Sequence, residues 1–273
     1  MANVRHAAAR ACDAMARLAG AASRAFRWFA IGLADADFLV DHTRRYYERF
    51  EPFLDPAHVR SGLLPWEAEA YGRFLPASGR IAVIGCGSGR VLRALESPGR
   101  RLEGVDVSAR AISLARELLG PDVRLHAGDV RRIELGEGEW DAFVFSWFTY
   151  AYLPGRADRV AILSRLRDRL SPGGRIVVSA VRRGPEGASG AGFRAARWLR
   201  RATRSPLPLE DGDVFEPGLF YQHRFAPGEL ANEAAAAGLA VVEEWTREQT
   251  AVAVFGRGDR MGACSEHPGS SRS

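Results

Sequence analysis

The sequence predicts an α/β fold built on an open, mostly parallel sheet, and three observations carry that expectation. From Arg80 onward short β-like runs alternate with helical ones in the order strand, helix, strand, repeated. The first strand runs into a glycine turn, Gly85-Cys86-Gly87-Ser88-Gly89, and then a helix. Such a turn brings backbone close to a ligand, because side chains at the glycines would obstruct it. Two extended runs near the end, Leu239–Glu244 and Thr250–Phe255, lie close enough in sequence to pair antiparallel.

Each element has its own justification. Ile81–Ile84 is an apolar run of strand length, and Arg90–Glu96 is helical. Arg101–Val105 is β-like, and Ala109–Leu119 is a helix with Ile112, Ala115 and Leu119 on one face. Val123–His126 and Ala142–Ser146 read as strands, Arg156–Leu170 as a helix, and Arg175–Ala180 as a strand after the turn "SPGG". The rhythm breaks over about 182–220, where the basic "FRAARWLRRATR" and the Pro-rich "SPLPLEDGDVFEPG" belong to an insertion too long for an ordinary connection. A helix near Pro227–Ala237, ended by Gly238, precedes the closing pair. Residues 1–75 look mainly helical and are assigned to an N-terminal extension and cap, 76–256 to the main domain, and the Gly/Ser/Arg-rich 257–273 to a disordered tail.

With 273 residues and 47% hydrophobic content the chain has ample material for a core. No apolar run approaches a bilayer span. The first residues carry Arg5, Arg10, Arg17 and Arg24, with Asp13 the single acid before Asp35, and lack the compact apolar stretch of a secretory signal. That favours a cytoplasmic location, with an arginine-rich transit peptide as the alternative. Cys12, Cys86 and Cys264 have no paired spacing, so neither a disulfide framework nor a metal site is signalled. All 38 basic residues are arginine, which removes the phosphate-binding lysine of a P-loop and every lysine-based Schiff base. The net charge of +5 gathers in the N-terminal segment and in the stretch from Arg182 to Arg204. It permits weak attraction to anionic partners without identifying nucleic acid.

The glycine turn does not fit a phosphate. A dinucleotide fingerprint needs glycine where Arg90 stands, and a P-loop needs the missing lysine. Asp106 ends the next strand, in "LEGVDVS", where a carboxylate can accept from both hydroxyls of a ribose. Asp129 follows the third strand, in "HAGDVRRI", where a carboxylate can accept from an adenine amino group. Together the strand ends describe an adenosine pocket.

With these residues the sequence resembles the class I S-adenosylmethionine-dependent methyltransferases, from about Tyr46 to Phe255. "IAVIGCGSGR" resembles the family's glycine motif, "GVDVS" its ribose-binding acidic motif and "AGDV" its adenine-contacting motif. "WDAFVFSWFTYAYLP", "LRDRLSPGGRIVVSA" and "YQHRFAPGELANEAAAAGLAVVEEW" resemble, in the family's order, the segments that follow. The resemblance implies a Rossmann-like seven-stranded, mostly parallel sheet with a C-terminal antiparallel hairpin and a helical N-terminal cap. It also implies S-adenosyl-L-methionine as cofactor, with Tyr47, Gly85, Cys86, Gly87, Gly89, Asp106, Val107, Asp129, Val130 and Ser146 as binding positions. Val83 departs from the family pattern, which has an acid two residues before the first glycine.

Methyl transfer from a sulfonium is a direct displacement governed by alignment, and a general base is needed only for a protonated acceptor. Trp147 and Tyr150, in the aromatic "SWFTYAYL" after the fourth strand, are the acceptor-side candidates, since aromatic faces suit a cationic sulfonium. Packing against the next helix is the other reading of each. His223, in "YQHRF", is the candidate base, with structural or gating duty as its alternative. His126 reads as structural, and His42 and His58 fall unranked in the cap. Tyr46 and Tyr47, followed by Glu48, resemble a segment that folds over the cofactor in relatives. Arg194, Arg197, Arg201 and Arg204 share one helical face, with Ala195, Trp198, Leu199 and Ala202 mostly opposite. That face is either plainly solvated, or part of a lid that attracts an acidic acceptor or touches an anionic membrane surface. The expected acceptor is a small molecule such as a natural-product intermediate, with no nucleic-acid partner, because the chain has a cap and an insertion but no Asn-Pro-Pro-Tyr base-methylation motif. A methyltransferase acting on RNA or protein, and a non-catalytic cofactor-binding or membrane-associated protein, are the alternatives.

Overall fold

The computed structural model describes residues 20, 22–23, 25–133, 135–184, 191–205, 207–216 and 219–258. Cys12, Cys264, the basic residues before position 25 and the expected tail beyond 258 lie outside them. Strand β1 (Gly79–Ile84) sits inside a seven-stranded sheet of order β3-β2-β1-β4-β5-β9-β8. Its partners are β2 (Arg100–Asp106), β3 (Arg124–Ala127), β4 (Trp140–Phe145), β5 (Leu170–Val181), β8 (Leu239–Arg247) and β9 (Thr250–Arg257). The first five strands are parallel, while β9 runs antiparallel to both β5 and β8, pairing Val178 with Ala253 and Trp245 with Val252. This is the expected fold: a mostly parallel sheet closed by an antiparallel hairpin.

The apolar run Ile81–Ile84 is fully buried because helices cover both faces. Ala82, Ile84, Phe143, Phe145 and Val178 face α7 (Arg156–Asp168) and α9 (Glu229–Ala236). Ile81, Val83, Ala142, Val144 and Val177 face α4 (Pro65–Phe74), α5 (Arg90–Leu95) and α6 (Ala109–Leu118). Thus α4, within the stretch assigned to the extension, packs directly on the sheet. One expectation is corrected: α7 stops at Asp168 and Leu170 already belongs to β5. Leu170 is buried opposite Trp140, and the next pair is Arg175 with Ala142, so the "SPGG" residues form a bulge inside the strand rather than a turn before it.

The remaining segments build a third core. Helix α1 (25–33), α2 (Ala36–Arg49) and the insertion's α8 (Ala191–Ala202) and hairpin β6 (Asp213–Phe215) with β7 (Tyr221–His223) share Ile31, Leu39, Phe193, Ala196, Phe215 and Tyr221. The extension and the insertion therefore stabilise each other. A short 3-10 turn (Glu51–Leu54) and α3 (Pro56–Val59) lead from α2 back toward the sheet. In α8 the inward residues are Phe193, Ala196 and Arg200, while Trp198 is 68% exposed, so the aromatic expected on the face away from the arginines faces solvent too.

Candidate functional site

The chain builds β1, β2 and β3 outward on one side and then crosses to β4 on the other. In open α/β sheets ligands bind at such a switch point, at the carboxyl ends of the strands. A cleft of ≈ 1090 Å³ empty volume, its open mouth included, lies there. It runs from Asp129 and Val130 past Asp106, Val107 and the glycine loop to Ser146, Trp147, Thr149 and Tyr152. Val40, Thr43 and Tyr47 of α2, with Phe53, Leu54 and His58, form its roof. The roof is tied to the floor where Ser88 Oγ donates to the Phe53 carbonyl at 2.7 Å.

The glycine loop needs its glycines for separate reasons. Gly85, Gly87 and Gly89 all have positive φ, at 73°, 53° and 100°, a region that side chains disfavour. A Cβ on Gly85 would fall 1.7 Å from Thr149 Oγ1, so this residue admits the β4 loop. A Cβ on Gly87 would meet no protein atom within 4 Å, so this residue keeps cleft space clear. Gly89 does not line the cleft, contrary to its expected contact: it precedes α5, and a Cβ there would press on Leu119 at 2.8 Å. Asp106 Oδ2 accepts from Gly87 N and Oδ1 from Ser108 N, each at 2.8 Å. Burial raises the Asp106 carboxyl above its ordinary range, against the pull of those two N–H groups. Each oxygen keeps a lone pair for a further donor. Burial, then the Asp106 charge, likewise pushes the Cys86 thiol up, so this free cysteine is a packing residue.

The far end is aromatic. Trp147 and Phe148, directly after β4, have φ of 44° and 58°, and two successive non-glycine residues in the left-handed region mark a strained, over-determined turn. Ser146 Oγ donates to Gly85 O at 2.5 Å, and Thr149 Oγ1 to Ser146 O at 2.6 Å. Phe53 packs edge-on to Trp147 at 5.5 Å and against Tyr47 at 5.3 Å. The hydroxyls of Tyr47 and Tyr152 meet at 2.6 Å, and burial raises both, Tyr152 to about 12. His58 is half-buried beside Phe53, and burial together with the Arg90 charge lowers its imidazole below the usual value. Arg90 is itself clamped by Glu67 through two bonds of 2.6 Å.

Two expected catalytic residues lie elsewhere. Tyr150 is fully buried on the 3-10 turn Thr149–Tyr152, its hydroxyl donating to Glu233 at 2.6 Å, while Tyr152 of the same turn reaches the cleft. His223 is also fully buried: Nδ1 lies 2.9 Å from Asp213 and Nε2 3.0 Å from Glu229, with no part of the cleft wall formed by it. Both are drawn into a polar network centred on Arg159. Glu210, His223 and Glu229 bring ligand-type atoms within 4.8 Å of one another, but each is already bonded to protein partners. Phe53, His58, Thr149 and Tyr152 are among the cleft residues that sequence reasoning left out or left unranked. Tyr152 and Thr149 stood in the quoted aromatic segment, whereas Phe53 and His58 reach the cleft through tertiary docking alone. Val83 is buried between strands and helices. The loop backbone is instead held by Asp106, which accepts from Gly87 N, and by Ser146, which donates to Gly85 O.

A sheet of this order, with a glycine loop and a strand-end acid at its switch point, defines a nucleoside-binding α/β class. The family model described as "Methyltransferase domain" matches residues 81–174, and this stretch of the chain is a methyltransferase domain similar to those of the class I S-adenosylmethionine-dependent enzymes. The chain is 32% identical over 106 residues to the dTDP-3-amino-3,6-dideoxy-alpha-D-glucopyranose N,N-dimethyltransferase of Streptomyces fradiae, covering 39% of this chain and 41% of that protein. It is 29% identical over 151 residues to the dTDP-4-amino-2,3,4,6-tetradeoxy-D-glucose N,N-dimethyltransferase of Saccharopolyspora spinosa, covering 52% and 59%. The aligned stretch spans about half the length of the curated relatives it matches. Among solved structures, the 1,6-didemethyltoxoflavin-N1-methyltransferase of Burkholderia thailandensis, with bound 1,6-didemethyltoxoflavin and S-adenosylhomocysteine, superposes with a TM-score of 0.58 at 19% identity, covering 83% of this chain and 92% of that one. The CcbJ methyltransferase of Streptomyces caelestis gives 0.55 at 20% identity, covering 80% and 97%. At these identities the structural likeness establishes the fold.

Proposed function

We propose that the protein is an S-adenosylmethionine-dependent methyltransferase that binds its donor in this cleft and methylates a small-molecule acceptor, an amine of a natural-product intermediate. The observation that carries the reading is Asp106 braced by Gly87 N across an open glycine loop. The residues present fit the donor. Gly87 leaves room for it, Asp106 offers its free lone pairs to the ribose hydroxyls, and Asp129, farther along the edge, has Oδ2 held by the Arg131 guanidinium while Oδ1, accepting from Arg131 N, keeps one lone pair for the adenine amino group. The apolar and aromatic wall of Tyr47, Phe53 and Trp147 suits a sulfonium. The bound donor supplies a methyl group that is already activated. The chain's task is then to orient the acceptor and exclude water, which the roof from α2 and α3 does. An amine acceptor must shed its proton before it attacks, and His58 is an imidazole on the cleft wall that can relay that proton toward solvent. The amine assignment rests on the names of the two sugar N,N-dimethyltransferase relatives.

Calorimetric titration with S-adenosylmethionine and S-adenosylhomocysteine tests the reading, and failure of both to bind overturns it. Asp106→Ala removes two charge-assisted hydrogen bonds and is expected to weaken binding about 100-fold or more. A thermal melt of the variant checks that it still folds. Unchanged affinity in the folded variant rules out the ribose role. Incubation with amino-sugar nucleotides, followed by mass spectrometry for one or two added methyl groups, tests the acceptor.

A further inference from the structure

We propose that the outer face of α1 and α8 is a docking surface for an anionic lipid bilayer, on which the protein lies without crossing. The two helices run side by side in the same direction. Trp28 meets Phe193 edge-on at 5.9 Å, and a Cβ on Gly32 would come within 3.0 Å of Leu199 and 3.3 Å of Ala196. With those contact lines fixed, a helical turn of about 100° per residue places Phe26, Phe29 and Leu33 on the side of α1 away from the core. It places Trp198 on the matching side of α8. The exposures agree, at 71%, 56%, 60% and 68% in that order. Arg197, Arg201 and Arg204 are exposed along the flank of α8 beside Trp198.

Large apolar side chains on one exposed face with arginine at its edge form the pattern of an interfacial helix. The apolar groups enter the acyl boundary while the guanidinium groups reach lipid phosphates. Neither 22–33 nor 191–204 contains an acidic residue, so the face has positive charge with no internal counter-charge. That favours an anionic bilayer over a second copy of the chain, because a two-fold contact would bury both sets of arginines unpaired. Among the described residues no helix is long and apolar enough to cross a membrane, so the face lies on the surface.

Sedimentation of the full chain with phosphatidylcholine vesicles, with and without phosphatidylglycerol, is the test. The protein is expected to sediment with the anionic vesicles, less so at high salt, and to stay in solution with the neutral ones. Substituting Arg197, Arg201 and Arg204 by Gln should lower partitioning about fivefold per arginine. Phe26→Ser with Phe29→Ser and Trp198→Ser should lower it at all salt concentrations, with melting temperature retained as the folding control. Equal partitioning into both vesicle types, or full partitioning of the serine variant, overturns the proposal. A concentration-dependent dimer that the serine variant splits would assign the face to a second copy instead and overturn it equally.

Discussion

Arg90, under the glycine loop, and Arg159, under the insertion, lie on opposite faces of one sheet, each buried and each gripped by a buried glutamate. Arg90 and Glu67 form a one-to-one ion pair, Nη1 and Nη2 each meeting a carboxylate oxygen at 2.6 Å, while Nη1 also donates to Gly62 O and Glu67 accepts from Leu64 N. Arg159 serves a larger assembly. It holds Glu233 through Nε and a terminal nitrogen, and Glu210 of the insertion at 2.8 Å; nearby His223 bridges Asp213 and Glu229. Four carboxylates thus face two cations. A one-to-one pair fixes a loop and has no charge left over, whereas an acid-rich cluster makes the docking of the insertion depend on a cation that can titrate. The face under the glycine loop is therefore electrostatically settled at this pair, and the face that carries the insertion is conditional.

Two substitutions break this comparison if it is wrong. Arg159→Met leaves Glu233 buried without its guanidinium and Glu210 without its 2.8 Å partner, at an expected cost of about 4 kcal/mol or more in urea unfolding. Adding Glu233→Gln should restore a minor part, since Glu210, Asp213 and Glu229 keep their excess. Arg90→Met should cost less, about 3 kcal/mol, and Arg90→Met with Glu67→Met should recover most of it, because removing both halves of a buried pair leaves no stranded charge. Equal recovery by the two double variants would show that the two clusters are alike. Cofactor affinity is a separate readout here, since Arg90 also lines the cleft.

The same contrast explains what could be read from the sequence. Ile81–Ile84, Gly85, Gly87, Asp106 and Asp129 were legible because strand, turn and strand-end acid follow one another locally, and the parallel order carries them to one edge. Gly89 shares the motif but serves the packing of Leu119, a distinction that only the third dimension makes. Of the roof, Tyr47 was named from the resemblance, whereas Phe53 and His58 were not, since they reach the cleft by tertiary docking, marked by the Ser88–Phe53 bond across 35 residues. His223 and Tyr150 misled because chemically capable residues stood beside site segments. Their burial depends on Glu229 and Glu233 of α9 and on Asp213 of the insertion, which no local pattern connects to them.

The conditional face makes the last and smallest prediction, in pH. Both ring nitrogens of His223 lie against carboxylates, which only accept, so both must carry hydrogen and the imidazole is charged. Burial alone would lower its pKa, but the bonds to Asp213 and Glu229 outweigh burial and push it up to about 9. A pKa raised on folding means stability that is fully present below the ordinary histidine value of 6.5 and lost as pH rises through about 9. From neutral pH to about 9 the expected loss is about 2 kcal/mol. Tyr150 and Tyr221, held well above their ordinary range by burial, do not titrate in that window. Glu229, lowered by its bond to His223 despite burial, acts on the acid side instead. Urea unfolding of the native chain and of His223→Gln across this range isolates the effect. The native curve should fall with pH while the variant's stays flatter, and parallel curves would mean that the imidazole holds no charge that the insertion depends on.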